Sequence, residues 1–128
     1  MSFSEVSKMR KSGQWAKAFE MAQADLNAAP DDVWAKRAMA WVLYDKAKQN
    51  ATVSARASFI ETLCAIRNLH VEEAETMFWD NVAWIVSGMV ATCVRAKLSD
   101  AGFFTALFEQ LRQFSFQRPS EPYSALLR

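Results

Sequence analysis

The run from Gly13 to Tyr44, GQWAKAFEMAQADLNAAPDDVWAKRAMAWVLY, constrains the fold more than any other stretch of the chain. In its first half, apolar residues recur at three and four spacing through Trp15, Ala18, Phe19, Ala22 and Leu26, which is the stripe of an amphipathic helix. Pro30 cannot continue that helix, because it lacks an N–H and its ring clashes with the preceding turn. Asp31 and Asp32 then place side-chain oxygens where the next helix has unpaired N–H groups, and their charge suits its positive end. Trp34, Ala38, Trp41, Leu43 and Tyr44 carry the apolar pattern onward. The stretch therefore reads as two helices joined by a tight corner.

Composition extends this reading to the whole chain. Over 128 residues, 52% are hydrophobic and only three are Gly and three Pro, which favours long helices over a turn-rich β fold and suffices for one domain spanning 1–128. Fifteen basic and fourteen acidic side chains leave a net charge of +1. Nucleic-acid binding needs concentrated positive charge, so nucleic acid is not expected as a partner of this module alone. Cys64 and Cys93 are far apart and make no metal or redox motif; both are expected to be small buried hydrophobes. The polar start is unlike a signal peptide, and no uninterrupted apolar run reaches the roughly 18 residues of a membrane span. The expectation is a cytoplasmic protein without a membrane partner.

In chain order, Ser2 to Glu5 offers a capping box for a short helix to about Lys11, which Ser12-Gly13 ends. The helix after Asp32 is expected from Val33 to about Gln49, with a solvated far end from Tyr44 to Lys48. From Thr52 or Ser54, a further helix carries Ala55, Phe59, Leu63 and Ile66 on one stripe and stops at Asn68-Leu69-His70. Glu72, Glu73 and Glu75 open the next, MFWDNVAWIVSGMVATCV, which is hydrophobic nearly all round and is expected to be the central buried helix. Ser99-Asp100 caps a sixth helix to about Phe114. Ser120 is the expected cap of a last short helix with Tyr123, Leu126 and Leu127 on its apolar side, either cut short where the sequence stops or docked on the preceding hairpin.

A long repeat runs through this order. Ala40-Trp41-Val42-Leu43 returns 43 residues later as Ala83-Trp84-Ile85-Val86, and Pro30-Asp-Asp-Val-Trp34 returns 89 residues later as Pro119-Ser-Glu-Pro-Tyr123. Repeated helical hairpins hide their apolar faces on one another. The pattern Gly13, Trp15, Ala18, Ala22, Leu26, Pro30, with Ala40 at a close-approach position, resembles the tetratricopeptide repeats, whose usual unit is about 34 residues. Asp25 departs from that pattern, standing where a small residue is expected and implying looser packing. The Asp-Asp-Val-Trp, Phe-Trp-Asp-Asn-Val-Ala-Trp and Arg-Pro-Ser-Glu-Pro-Tyr runs are similar to the tetratricopeptide-like region of bacterial TOTE conflict-system proteins. The resemblance implies an all-α, right-handed stack of antiparallel hairpins, an α-solenoid of about six to seven helices. It also implies a defence-related assembly, with this chain as the amino-terminal module of a longer protein.

The same frame directs attention to one face. Trp34, Arg37, Trp41, Tyr44 and Lys48 recur at three and four spacing, and their counterparts one repeat on include Met77, Asp80, Trp84 and Ser87. A groove walled by these aromatics, with Arg37 and Asp80, suits a peptide or helix of a protein partner. Packing alone is the competing reading for tryptophans at this spacing. No Lys and Asn set matches the family's peptide-carboxylate clamp. No nucleophile with a base, carboxylate pair or metal-ligand cluster stands out, so the chain reads as a non-enzyme without cofactors. Asp80 in the apolar helix is expected to pair, together with Asn81, with Arg37 or a nearby backbone group. His70 reads as a loop residue. Lys8, Arg10, Lys11 and Lys17 read as a solvated face. Phe103, Phe104, Phe108, Phe114 and Phe116 exceed what one stripe can bury, which points to a possible homodimer through Phe104 and Phe108.

Overall fold

Several helix ends among the described residues rest on a local device. In the computed structural model, which describes residues 2–72 and 75–114, the chain forms α1 (Ser2–Lys11), α2 (Trp15–Ala28), α3 (Val33–Gln49), α4 (Arg56–Asn68), α5 (Thr76–Arg95) and α6 (Ala101–Gln113). No strand occurs among the described residues. Gly13 turns the chain between α1 and α2 at φ +81°, a left-handed conformation that glycine adopts without steric cost. Asp32 caps α3 by accepting the Ala35 N–H at 2.9 Å, and Asp100 caps α6 by accepting that of Phe103 at 3.0 Å. Thr52 Oγ1 accepts the Ala55 N–H, so α4 starts at Arg56, a little later than its sequence suggests. Ser2 already lies within α1, one position inside its expected capping role.

The helices pack mainly on near neighbours in sequence. Helices α1, α2 and α3 touch one another, α3 also bears on α4 and α5, and α4 packs on α6. Alanines allow the close approach of the first three: Ala18, Ala22, Ala38, Ala40 and Ala47 are buried, beside Val6, Met39 and Val42. Trp15 locks α2 to α3 by donating its indole N–H to the Val42 carbonyl at 2.9 Å. The second half buries Phe59, Leu63 and Ile66 of α4, Phe78, Val82, Val86, Met89 and Cys93 of α5, and Leu107 and Leu111 of α6. Arg56 ties the start of α4 to the cap of α6, with its Nε 2.9 Å from Asp100 Oδ2.

Two expectations are corrected here. Helix α5 is not buried all round: by length and composition it is apolar enough to cross a membrane, with hydropathy 1.3, yet only 33% of that window is buried. Its core side is Phe78, Val82, Val86, Met89 and Cys93, while Met77 and Trp84 stand 72% and 65% exposed on the other. Cys64 is only half-buried, unlike Cys93. At Asp25, where a small residue was expected, the carboxylate oxygen Oδ2 is buried without a hydrogen-bond partner. The short helix expected around Ser120 to Leu127 lies outside the described residues.

The thiols and Asp100 give two direct checks. Burial raises the Cys93 pKa, with Arg56 opposing and Asp100 adding, so a thiol reagent at neutral pH should modify Cys64 first and Cys93 only after unfolding. Labelling followed by mass spectrometry reads the order. The Asp100 carboxyl is held below its usual range, first by the Phe103 N–H and then by Arg56. A carboxylate whose folded pKa is depressed stabilises the fold above its unfolded value, about 3.9, and that contribution disappears as pH falls through the folded value. Denaturant unfolding from pH 7 downward should show Asp100→Asn less stable near neutrality, with a shallower loss below about pH 4.

Candidate interaction surface

The outward stripe of α3 lies between α1 and α5, and its residues differ in what they do. Trp34, in the first turn, is 55% exposed; Phe3 of α1 meets it edge-on with ring centres 5.3 Å apart. Arg37, one turn on, lays its guanidinium 4.7 Å from the centre of the Trp34 ring. The same guanidinium reaches Glu75 at 3.0 Å and Glu72 at 3.8 Å, while its Nε is buried without a hydrogen-bond partner. Arg37 is thus pinned from both sides, by an indole face and by two carboxylates at the entrance to α5.

Trp41 and Tyr44 belong to the packing instead. Trp41 meets Tyr44 and Phe78 edge-on at 5.4 and 5.2 Å and lies under the Arg10 guanidinium at 5.2 Å. Arg10 grips Asp45 with two hydrogen bonds, Nε to Oδ2 at 2.6 Å and Nη2 to Oδ1 at 3.1 Å. Partial burial, with Asp45 adding and Arg10 opposing, raises the Tyr44 pKa. Lys48 is exposed and places its Nζ 5.7 Å from the Tyr44 ring centre. The far end of α3 is therefore partly clasped by α1, not simply solvated, and Arg10 is an ion-pair partner rather than part of a free basic face.

The expected pairing of Asp80 with Arg37 does not occur. Asp80 is exposed on the outer side of α5, and Arg37 uses Glu75 and Glu72 instead. Asn81 does find a backbone partner, donating to the Met77 carbonyl at 2.8 Å. Trp84 shares the outer, exposed side of α5 with Asp80, apart from the α3 stripe. Beside Arg37 the structure adds a shallow depression lined by Val33, Lys36, Arg37, His70, Val71 and Glu72. His70 enters it from a left-handed turn, φ 55°, at the end of α4.

Comparison with protein-family models, curated proteins and solved structures finds no match to this chain. No group of three or more potential metal ligands occurs among the described residues. The α3 entrance combines an exposed aromatic plane, a cation held by two carboxylates and a shallow dent of mixed lining.

Sequence reasoning missed Phe3, Glu72 and Glu75 as the supports of this surface. The glutamates carried a signal for a helix start; α5 begins after them, at Thr76, with no side-chain cap from Glu75, and the carboxylates serve Arg37 instead.

Proposed function

We propose that the chain is a non-enzymatic protein interaction module that engages a peptide or helix of a protein partner at the entrance of α3. The observation that carries this reading is the Trp34–Arg37 pair. An indole left 55% exposed on a folded helix, already stacked on a guanidinium held by Glu75, loses little side-chain freedom on binding. Val33, Lys36 and the dent beside Arg37 extend the surface; Trp41, Tyr44 and Lys48 form its support and flank. Asp80 and Trp84 are left out of this set.

The tetratricopeptide-like reading, a right-handed stack of hairpins, belongs to the same proposal. The contacts of α3 with both α1 and α5, and of α4 with α6, are in keeping with alternate helices stacking on one another. The test is capture from the native host by wild type, Arg37→Glu and Trp34→Ala, followed by titration of the recovered partner. Removing the Trp34 indole should weaken binding by about 2 kcal/mol, roughly thirtyfold. Equal capture by all three forms would refute the α3 surface.

A second reading is supported by α6. Phe108 is 50% exposed next to Phe104, itself half-buried and edge-on to Phe103 at 5.2 Å. These two residues would carry self-association, in line with a structural or nucleic-acid-linked part of a bacterial conflict system. Sedimentation of wild type and Phe108→Ser at high micromolar concentration separates the two: a wild-type monomer removes this reading. Steeply salt-dependent binding to nucleic acid would instead favour the nucleic-acid link.

A further inference from the structure

We propose that the outer face of α5 is a self-association surface, on which a second copy of this chain lays its own α5 antiparallel, the Trp84 indole of each protomer seated over Gly88 of the other. The argument starts from the side chains that share this face. Met77, Asp80, Trp84, Gly88, Ala91 and Arg95 recur at three and four spacing and so form one stripe, on the side of the helix away from the buried Val82 and Val86. Ala91 is half-buried and the other five are exposed.

The stripe is complementary to itself. One turn from the projecting indole lies Gly88, where an added Cβ would meet no atom within 4 Å, so a knob and a recess stand side by side. Charge is divided in the same way, with Asp80 toward the amino end of α5 and Arg95 at its carboxy end. Parallel pairing would set like charge against like charge and indole against indole. Antiparallel pairing about a two-fold axis midway between Trp84 and Gly88 instead sets each indole over a glycine and brings Arg95 of one copy opposite Met77 of the other. Helical side chains lean toward their own amino terminus, so Arg95 reaches on toward Asp80 of the second copy, about 4.5 Å further along the axis, and Asp80 leans to meet it. The pairing does not require Asp80 to be otherwise free, because a carboxylate accepts from several donors at once. Gly88 and Ala91 also let the two backbones come close. The strip from Met77 to Arg95 is about 27 Å long, and the two indoles bring on the order of 300 Å² to it. That is small beside the roughly 1,200 Å² of a permanent assembly, so the dimer is a weak one, with a dissociation constant on the order of 10 μM.

This surface is separate from the partner surface on α3 and from the aromatic residues of α6. The test is sedimentation equilibrium of the intact chain from about 1 to about 300 μM. Wild type and Phe108→Ser should both pass from monomer to dimer over this range. Gly88→Leu fills the recess without touching its own protomer, and should weaken the dimer by about tenfold or more. Asp80→Arg and Arg95→Asp should each weaken it several-fold, and the two together should restore it. Protection of Cys93 from a thiol reagent reports that each variant is folded; if Gly88→Leu loses it, Trp84→Ala takes its place with the same expected weakening. A wild type that stays monomeric would overturn the proposal. So would a dimer that persists in Gly88→Leu or Trp84→Ala, a dimer lost in Phe108→Ser, or a charge swap that fails to restore association.

Discussion

Phe59→Ala is expected to remove about 3–5 kcal/mol of stability, the largest effect of any single substitution considered for this chain. Phe59 is fully buried at the second turn of α4, the helix that joins α3 to α6, with Leu63 and Ile66 below it on the same stripe. Truncation forfeits the transfer energy of the ring and leaves a cavity that three packed helices cannot close. Small domains have only about 5–15 kcal/mol in total, so the variant should unfold at much lower urea concentration with an unchanged dependence on denaturant. Phe108→Ala is the matched control: the same chemistry on an exposed site should change stability by less than about 0.5 kcal/mol.

The second large effect is expected at the clasp between α1 and α3. Asp45→Ala should cost about 2 kcal/mol, in the range for hydrogen bonds to charged groups, lowered because about a fifth of each partner remains in water. It strands the Arg10 guanidinium, whose two bonds to Asp45 span 35 residues of sequence, over the Trp41 ring. A double-mutant cycle with Arg10→Ala isolates the coupling. A coupling near zero, with each single variant costing the same in either background, would show that Trp41 alone holds Arg10.

What was legible in the sequence was local. The corner at Pro30 to Asp32, the turn at Gly13 and the cap at Asp100 are each written in one or two residues whose chemistry acts within a turn of helix. The apolar stripe of α4 was equally plain, because its period alone selects Phe59, Leu63 and Ile66. The pairing of Arg37 was not legible. Three acidic residues lay within reach of plausible geometries, and only the packing of α5 on α3 decides for Glu75 and Glu72 over Asp80. The mistake over α5 has a related cause: a helix with apolar residues on every side states how much surface it can bury, not how much its neighbours supply. Trp41 and Trp84 share a sequence context and differ in exposure because one has a following helix against it.

The pattern of packing also bears on how the protein is born. Among the described residues, every substantial contact of α1 and α2 is with each other or with α3, so nothing beyond Gln49 is needed to bury Ala18 and Ala22 of α2. Synthesis proceeds at about 5–20 residues per second, slowly compared with helix formation and short loop closure. The first three helices can therefore settle while Phe59 is still waiting to be translated, and α4, α5 and α6 add to a surface already in place. The ribosome would then release a chain whose most apolar helix, α5, meets a finished platform on α3 instead of other unfolded chains.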